Sequence, residues 1–171
     1  MDKSTGKKIL EWPQNFLNAF SGGPATGETW IEVPSLIQER SDHACSVIQV
    51  PMNDMWHTGI MVAGGYKDNG AWTNTVEFFS FDKGTWIPFT FFPQLVEGRH
   101  YHGATSLGLI PTIFGGWNNG SLASIERLNY CTTPPTWVKT NEFLLTGREH
   151  FATAKVPSDF YKDCSEGLPE E

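Results

Sequence analysis

The chain has 171 residues, enough for one domain with a sizeable core, since domains usually run about 100 to 200 residues. Its net charge of −7, with 12 Lys plus Arg against 19 Asp plus Glu and no basic cluster, argues against nucleic acid as a partner. A neutral or basic protein ligand fits that balance better.

The 12 Phe, 7 Trp and 4 Tyr, the 17 Gly and 11 Pro, and the lack of any long helical apolar spacing predict an all-β fold of short strands and turns. Residues 1–27 fit no strand pattern and read as an irregular N-terminal segment, with "KKILEWPQNFLNAF" as a helix turn broken at Pro13. That start has no apolar run behind its lysines, so it does not read as a signal peptide. No stretch reaches the ~18 apolar residues of a membrane span. "GETWIEVPSLIQER", with Trp30, reads as the tail of a partial unit over 28–39. From Arg40, strands are expected at 43–50, 58–63, 75–81 and 85–90. From Arg99 they are expected at 102–108, 110–114, 124–130 and 136–140. The loops "KDNGAWTN" and "NNGSLAS" carry Asn-Gly, a pair that tolerates positive φ in tight turns. Asn119-Gly120-Ser121 is also a glycosylation sequon, although the turn explains it without secretion. "REHFATAKVP" opens another unit over 148–157, with a first strand only, and 158–171 reads as an acidic tail.

The units keep register. Gly65 to Trp86 and Gly116 to Trp137 are both 21 residues, and the two Trp lie 51 apart. Glu77 and Glu126 occupy the same place in a strand; Arg40, Arg99 and Arg148 open the units; His43 and His102 stand three residues past their Arg, and Phe151 takes that slot in the last unit. This order of Arg, His, an apolar strand ending in Gly-Gly, Val-Glu or Ile-Glu, and Trp resembles the kelch repeat, whose period is roughly 50 residues with four strands per propeller blade. The resemblance covers 28–157. It implies an incomplete kelch-type β-propeller of four-stranded antiparallel blades, with full repeats at about 40–98 and 99–147 and partial blades at 28–39 and 148–157. A closed propeller has typically 4 to 8 blades, so closure is expected to need further blades or self-association. Because the start cuts into a blade, the chain is expected to be a fragment of a longer protein.

The recurring residues read as structural. Gly64, Gly65, Gly115 and Gly116 end apolar strands where a backbone or ring comes close, and no phosphate-loop spacing accompanies them. Trp86 and Trp137 are expected to bury their rings between blades. The arginines and glutamates are expected to pair within or between blades, as the resemblance implies and as buried ions require. A catalytic acid–base pair would be placed once, not copied into every unit.

Large aromatics on loops point elsewhere, to recognition. Tyr66, Trp72, Trp117 and Asn118 on the loops between second and third strands, with Asp42, His100 and Glu149 near the first strands, are the candidate partner contacts. "HYH" at His100 and His102 has the i, i+2 spacing that puts two imidazoles on one strand face, and with His43, His57 or His150 it is the one arrangement that suggests zinc. Phe151 in the His102 slot and the lack of CxxC or HExxH argue against a metal, so no cofactor is expected. Cys45, in "ACSVIQV", reads as a buried small hydrophobe. Cys131 and Cys164 read as exposed, and would pair only in an oxidising compartment; a cytoplasmic setting is expected. The kelch resemblance implies a non-catalytic protein-interaction module of adaptor or scaffold type. The competing expectation is part of a kelch-type propeller enzyme similar to galactose oxidase or sialic acid epimerases, for which no copper-ligand set can be assigned.

Overall fold

A computed structural model describes residues 11–13, 30–52, 55–87, 92–107 and 109–154. The described residues form strands and turns with no helix, and so none long and apolar enough to cross a membrane. Strands β3 (Ala44–Met52), β4 (Met55–Ala63), β5 (Val76–Ser80) and β6 (Thr85–Ile87) form one antiparallel sheet in chain order. Strands β7 (Gly103–Leu107), β8 (Ile110–Phe114), β9 (Ser124–Asn129) and β10 (Thr136–Phe143) form a second sheet of the same kind. The expected positions agree to within three residues at the ends that are described.

Three expectations need correction. Glu11–Pro13 is a short strand (β1), not a helix turn, and pairs antiparallel with Trp30–Glu32 (β2). The rest of 1–27, the 158–171 tail and Cys164 lie outside the described residues. Residues 148–154 form no strand; Phe151 and Thr153 instead lie against Gly103, and Thr153 Oγ1 donates to the Ala104 carbonyl at 2.9 Å. Cys45 is exposed. Alternation along β3 turns Cys45 and Val47 toward the face of Ile60, Val62, Phe79 and Trp86, and the cover on that face, supplied by Val33 and Leu36, leaves Cys45 open.

The two sheets pack face to face. Ile48, Val50, Met61, Ala63, Val76 and Phe78 from the first meet Ala104, Ile113, Leu128 and Trp137 from the second, with Phe92 and Leu95 of the connecting segment filling the space between. Burial of side chains such as Phe78 and Ile113 contributes about 1.5–3 kcal/mol each. Ser106 Oγ donates to the Val47 carbonyl at 3.0 Å, and the Tyr130 hydroxyl to the Gln49 carbonyl at 2.8 Å, across the same interface.

The recurring charges form one device, made twice. Glu77 accepts hydrogen bonds from the Ile37 N–H (2.7 Å), the Gln38 N–H (3.1 Å) and Arg40 Nη2 (2.5 Å). Glu126 accepts from the Val96 N–H (2.7 Å), the Glu97 N–H (3.2 Å) and Arg99 Nη2 (2.5 Å). All four ionic side chains are fully buried. Arg40 Nη1 also donates to the Gly64 and Thr75 carbonyls, as Arg99 Nη1 does to those of Gly115 and Ser124. Burial pulls the Arg40 guanidinium down from its ordinary value, and Glu77 opposes that shift. Over each of these clasps an indole is pinned by a proline carbonyl: Trp86 Nε1 donates to Pro34 and Trp137 Nε1 to Pro93.

The glycine pairs are explained by close approach. Gly64 and Gly115 have φ of 60° and 55°, and a Cβ on them would sit 2.5 Å from the Arg99 carbonyl oxygen and 2.7 Å from that of Arg148. His102 closes over Gly64 as Phe151 closes over Gly115, which is why one slot takes either ring. Gly115→Ala is expected to cost at least about 2 kcal/mol through strain and clash. Glu126→Ala, which leaves the buried Arg99 charge only the looser contact with Glu97 at 3.5 Å, is expected to cost about 3–5 kcal/mol. Urea denaturation of both variants beside wild type checks these values.

Candidate functional site

Two residues past each of Arg40, Arg99 and Arg148 one residue takes the left-handed conformation: Asp42, Tyr101 and His150, with φ of 54°, 54° and 53°. Aspartate and histidine tolerate this region, whereas a bulky tyrosine there is an outlier. Hydrogen bonds hold the three in a row. The Tyr101 N–H donates to the Asp42 carbonyl at 2.9 Å, and the His150 N–H to the Tyr101 carbonyl at 3.0 Å.

The side chains around this row form a continuous aromatic patch. Tyr101 stacks on His150 with ring centroids 3.6 Å apart and lies 4.5 Å from His100. The His100 ring in turn lies 5.3 Å from Tyr66 and stacks at 6.2 Å on Trp72. Loop pairing sets these positions: Tyr66 bridges Ser41 and Trp72, and Trp117 bridges His100 and Ser121. The carboxylates of Asp42 and Glu149 act on the patch. Asp42 foremost raises the Tyr101 phenol above its ordinary value. Burial lowers the His100 imidazole from its ordinary value, with Asp42 and Glu149 opposing, and the residue is itself buried among the other rings.

Of the candidate contacts, the fold brings together Tyr66, Trp72, His100, Asp42 and Glu149. Trp117 joins through its backbone, with its N–H donating to the His100 carbonyl at 2.8 Å. Asn118 has a different task, donating through Nδ2 to Glu97 Oε1 at 3.2 Å. Sequence reasoning missed Tyr101 altogether and gave His150 only a metal-ligand reading. The positive φ at Tyr101 also undoes the one-face reading of "HYH". His100 faces Tyr66 and Trp72, while His102 is buried against Gly64 and Gly116. His57 lies 3.2 Å from Asp82 Oδ2. Among the described residues no group of three or more His, Cys, Asp or Glu is arranged to hold a metal ion. No protein-family model matches the chain, and no curated protein matches it.

His102 carries a pH prediction. Burial first, then the charge of Arg99, lowers its pKa to about 3 from an ordinary 6.5. Below about pH 6.5 the unfolded chain therefore binds a proton that the folded chain refuses, so stability falls as pH drops toward 3 and is unaffected by this group above about 7. His102→Phe, which installs the residue used in the third slot, is expected to flatten that decline. Urea midpoints at pH 7.5 and pH 5 for both proteins check it; equal losses in the two would show that other groups carry the effect.

Proposed function

We propose that this protein is a non-catalytic protein-interaction module built as part of a kelch-type β-propeller, recruiting or scaffolding a partner in the cytoplasm. What supports the blade reading is the duplicated arginine–glutamate clasp with its tryptophan and glycine pair, in the same order in both sheets. Two sheets do not close a ring, so a complete propeller draws further blades from other polypeptide or from self-association.

The single observation that carries the interaction reading is the aromatic patch of Tyr66, Trp72, His100, Tyr101 and His150, held in place by strained backbone and edged by Asp42 and Glu149. Strained positions cost about 1–3 kcal/mol each and gather at functional sites. Flat rings give large contact area at low entropic cost, and rings beside carboxylates suit an arginine or lysine side chain of the partner. The protein's net charge of −7 favours the same class of partner.

The experiment is a binding titration of the purified protein against arginine-rich, lysine-rich and glutamate-rich peptides, followed by tryptophan fluorescence. Basic peptides are expected to bind with an affinity that falls as salt rises. Tyr101→Ala and Trp72→Ala are expected to weaken binding about tenfold or more while the thermal melt stays cooperative. Preference for the acidic peptide, or binding untouched by both substitutions, rejects this surface.

A further inference from the structure

The two clasps share one plan: the carboxylate is held by the N–H groups three and two residues before an arginine and by that arginine's Nη2. The sequence Leu145, Thr146, Gly147, Arg148 writes the same plan a third time, and its frame is already built. Arg148 Nε donates to the Thr146 carbonyl at 3.4 Å, matching Arg40 on Gln38 (3.4 Å) and Arg99 on Glu97 (3.5 Å). The Arg148 carbonyl accepts from the Gly116 N–H at 2.9 Å, as that of Arg99 does from Gly65 at 2.8 Å. The Arg148 N–H donates to Leu122 and the Leu144 N–H to Ala123, repeating Arg99 on Thr73 and Leu95 on Asn74.

The donors of this third clasp face solvent. Leu145 is 99% exposed, and Arg148 is exposed where Arg99 is 0% exposed. No described residue places a carboxylate on Arg148, and no described residue accepts from the Leu145 or Thr146 N–H. Beside it the second sheet turns Leu107, Ile110 and Val138 outward, each more than a third exposed.

We propose that Leu145, Thr146 and Arg148 form a receptor for a strand-borne glutamate, and that the occupant is a further four-stranded sheet of the same repeat type docked on the outward face of the second sheet. The glutamates of both existing clasps come from the third strand of such a sheet and are fully buried. A loose carboxylate meeting Arg148 in water would gain little, whereas a sheet covers the apolar face and excludes water from the pair. Among the described residues the two glutamates that fill such clasps, Glu77 and Glu126, are each already held by three donors of their own chain, so a second copy does not present them.

The test uses the full chain and an extended chain in which residues 100–148 are repeated once directly after Arg148, so that the added unit presents its own copy of Glu126. In the extended chain Arg148→Ala is expected to lower the melting temperature by several degrees, and Glu126→Gln in the added unit alone should do the same. In the parent chain Arg148→Ala is expected to leave the melt unchanged. Amide exchange gives a second readout that does not depend on melting: the Leu145 and Thr146 N–H groups should exchange freely in the parent and slow by about 100-fold or more in the extended chain. Equal effects of Arg148→Ala in both chains, or unprotected amides in the extended chain, overturn the proposal. So does a parent already protected at these amides, which would point to the chain's own 158–171 carboxylates. A parent that dimerises through Arg148 in sedimentation would equally assign the receptor to a second copy.

Discussion

The buried contact between Arg99 and Glu126 is where the two sheets are joined. The Arg99 main chain belongs to the first sheet's loops, where its carbonyl accepts from Gly65 and its N–H donates to Thr73. Its side chain belongs to the second sheet, where it meets Glu126, Gly115 and Ser124. One residue therefore ties the spacing and the register of two sheets that otherwise meet through apolar side chains and a few hydrogen bonds, among them Ser106 to Val47 and Tyr130 to Gln49. A buried ion pair is a poor source of net stability, since desolvation offsets most of the attraction. Here nearly every lone pair and proton of the pair finds a partner, so the clasp is tolerated, and any other register of sheet on sheet would leave a buried charge unmatched. We read its role as specificity of assembly, with the indole and the core apolar residues supplying the driving force.

The same construction explains why the aromatic patch lies where it does. To bring the arginine carbonyl against the glycine pair and then start a strand, the chain must reverse within two or three residues. It does so through left-handed Asp42 and Tyr101, and His150 takes the same conformation ahead of a segment that forms no strand. The reversal aims each of these residues toward its counterpart in the next repeat, and the row of main-chain hydrogen bonds between them spaces the side chains for stacking. Strain at the surface is thus held by satisfied hydrogen bonds underneath. The patch is a by-product of repeat geometry and of the particular residues at these three positions.

This also separates what could be read from the sequence from what could not. The clasp was legible because its members recur with their neighbours: Arg, Gly-Gly, Glu and Trp hold their order twice, and each does the same thing twice. The strands were legible for the same reason. Tyr101 was not, because period-two reasoning assumes an extended backbone, and nothing in "RHYHG" announces a left-handed residue between two histidines. Cys45 misled because an apolar run such as "ACSVIQV" suggests burial on both faces, while the cover on its face comes from a segment distant in sequence. Arg148 looked like its two counterparts on spacing alone. Only the placement of its donors shows that no carboxylate meets it among the described residues, since a missing carboxylate leaves no mark on the residues that would receive it.

The two outward faces of the pair of sheets are not alike, and this has a structural consequence. The first sheet carries its own cover, with Val33 and Leu36 over Phe79 and Trp86 and the Glu77 clasp closed. Among the described residues the second has no acceptor for the Leu145 and Thr146 N–H groups and no carboxylate on Arg148, and it turns Leu107, Ile110 and Val138 outward. An arrangement with a covered face at one end and a receptive face at the other is directional, so growth by repeated docking is head to tail and cannot produce a two-fold symmetric dimer through these surfaces. Head-to-tail stacking ends only where the rotation per sheet brings the last receptive face onto the first sheet, and that meeting requires the first sheet's cover to be the same kind of segment as the one that carries Arg148. Residues 33–40 are such a segment, with Ile37, Gln38 and Arg40 in the places of Leu145, Thr146 and Arg148.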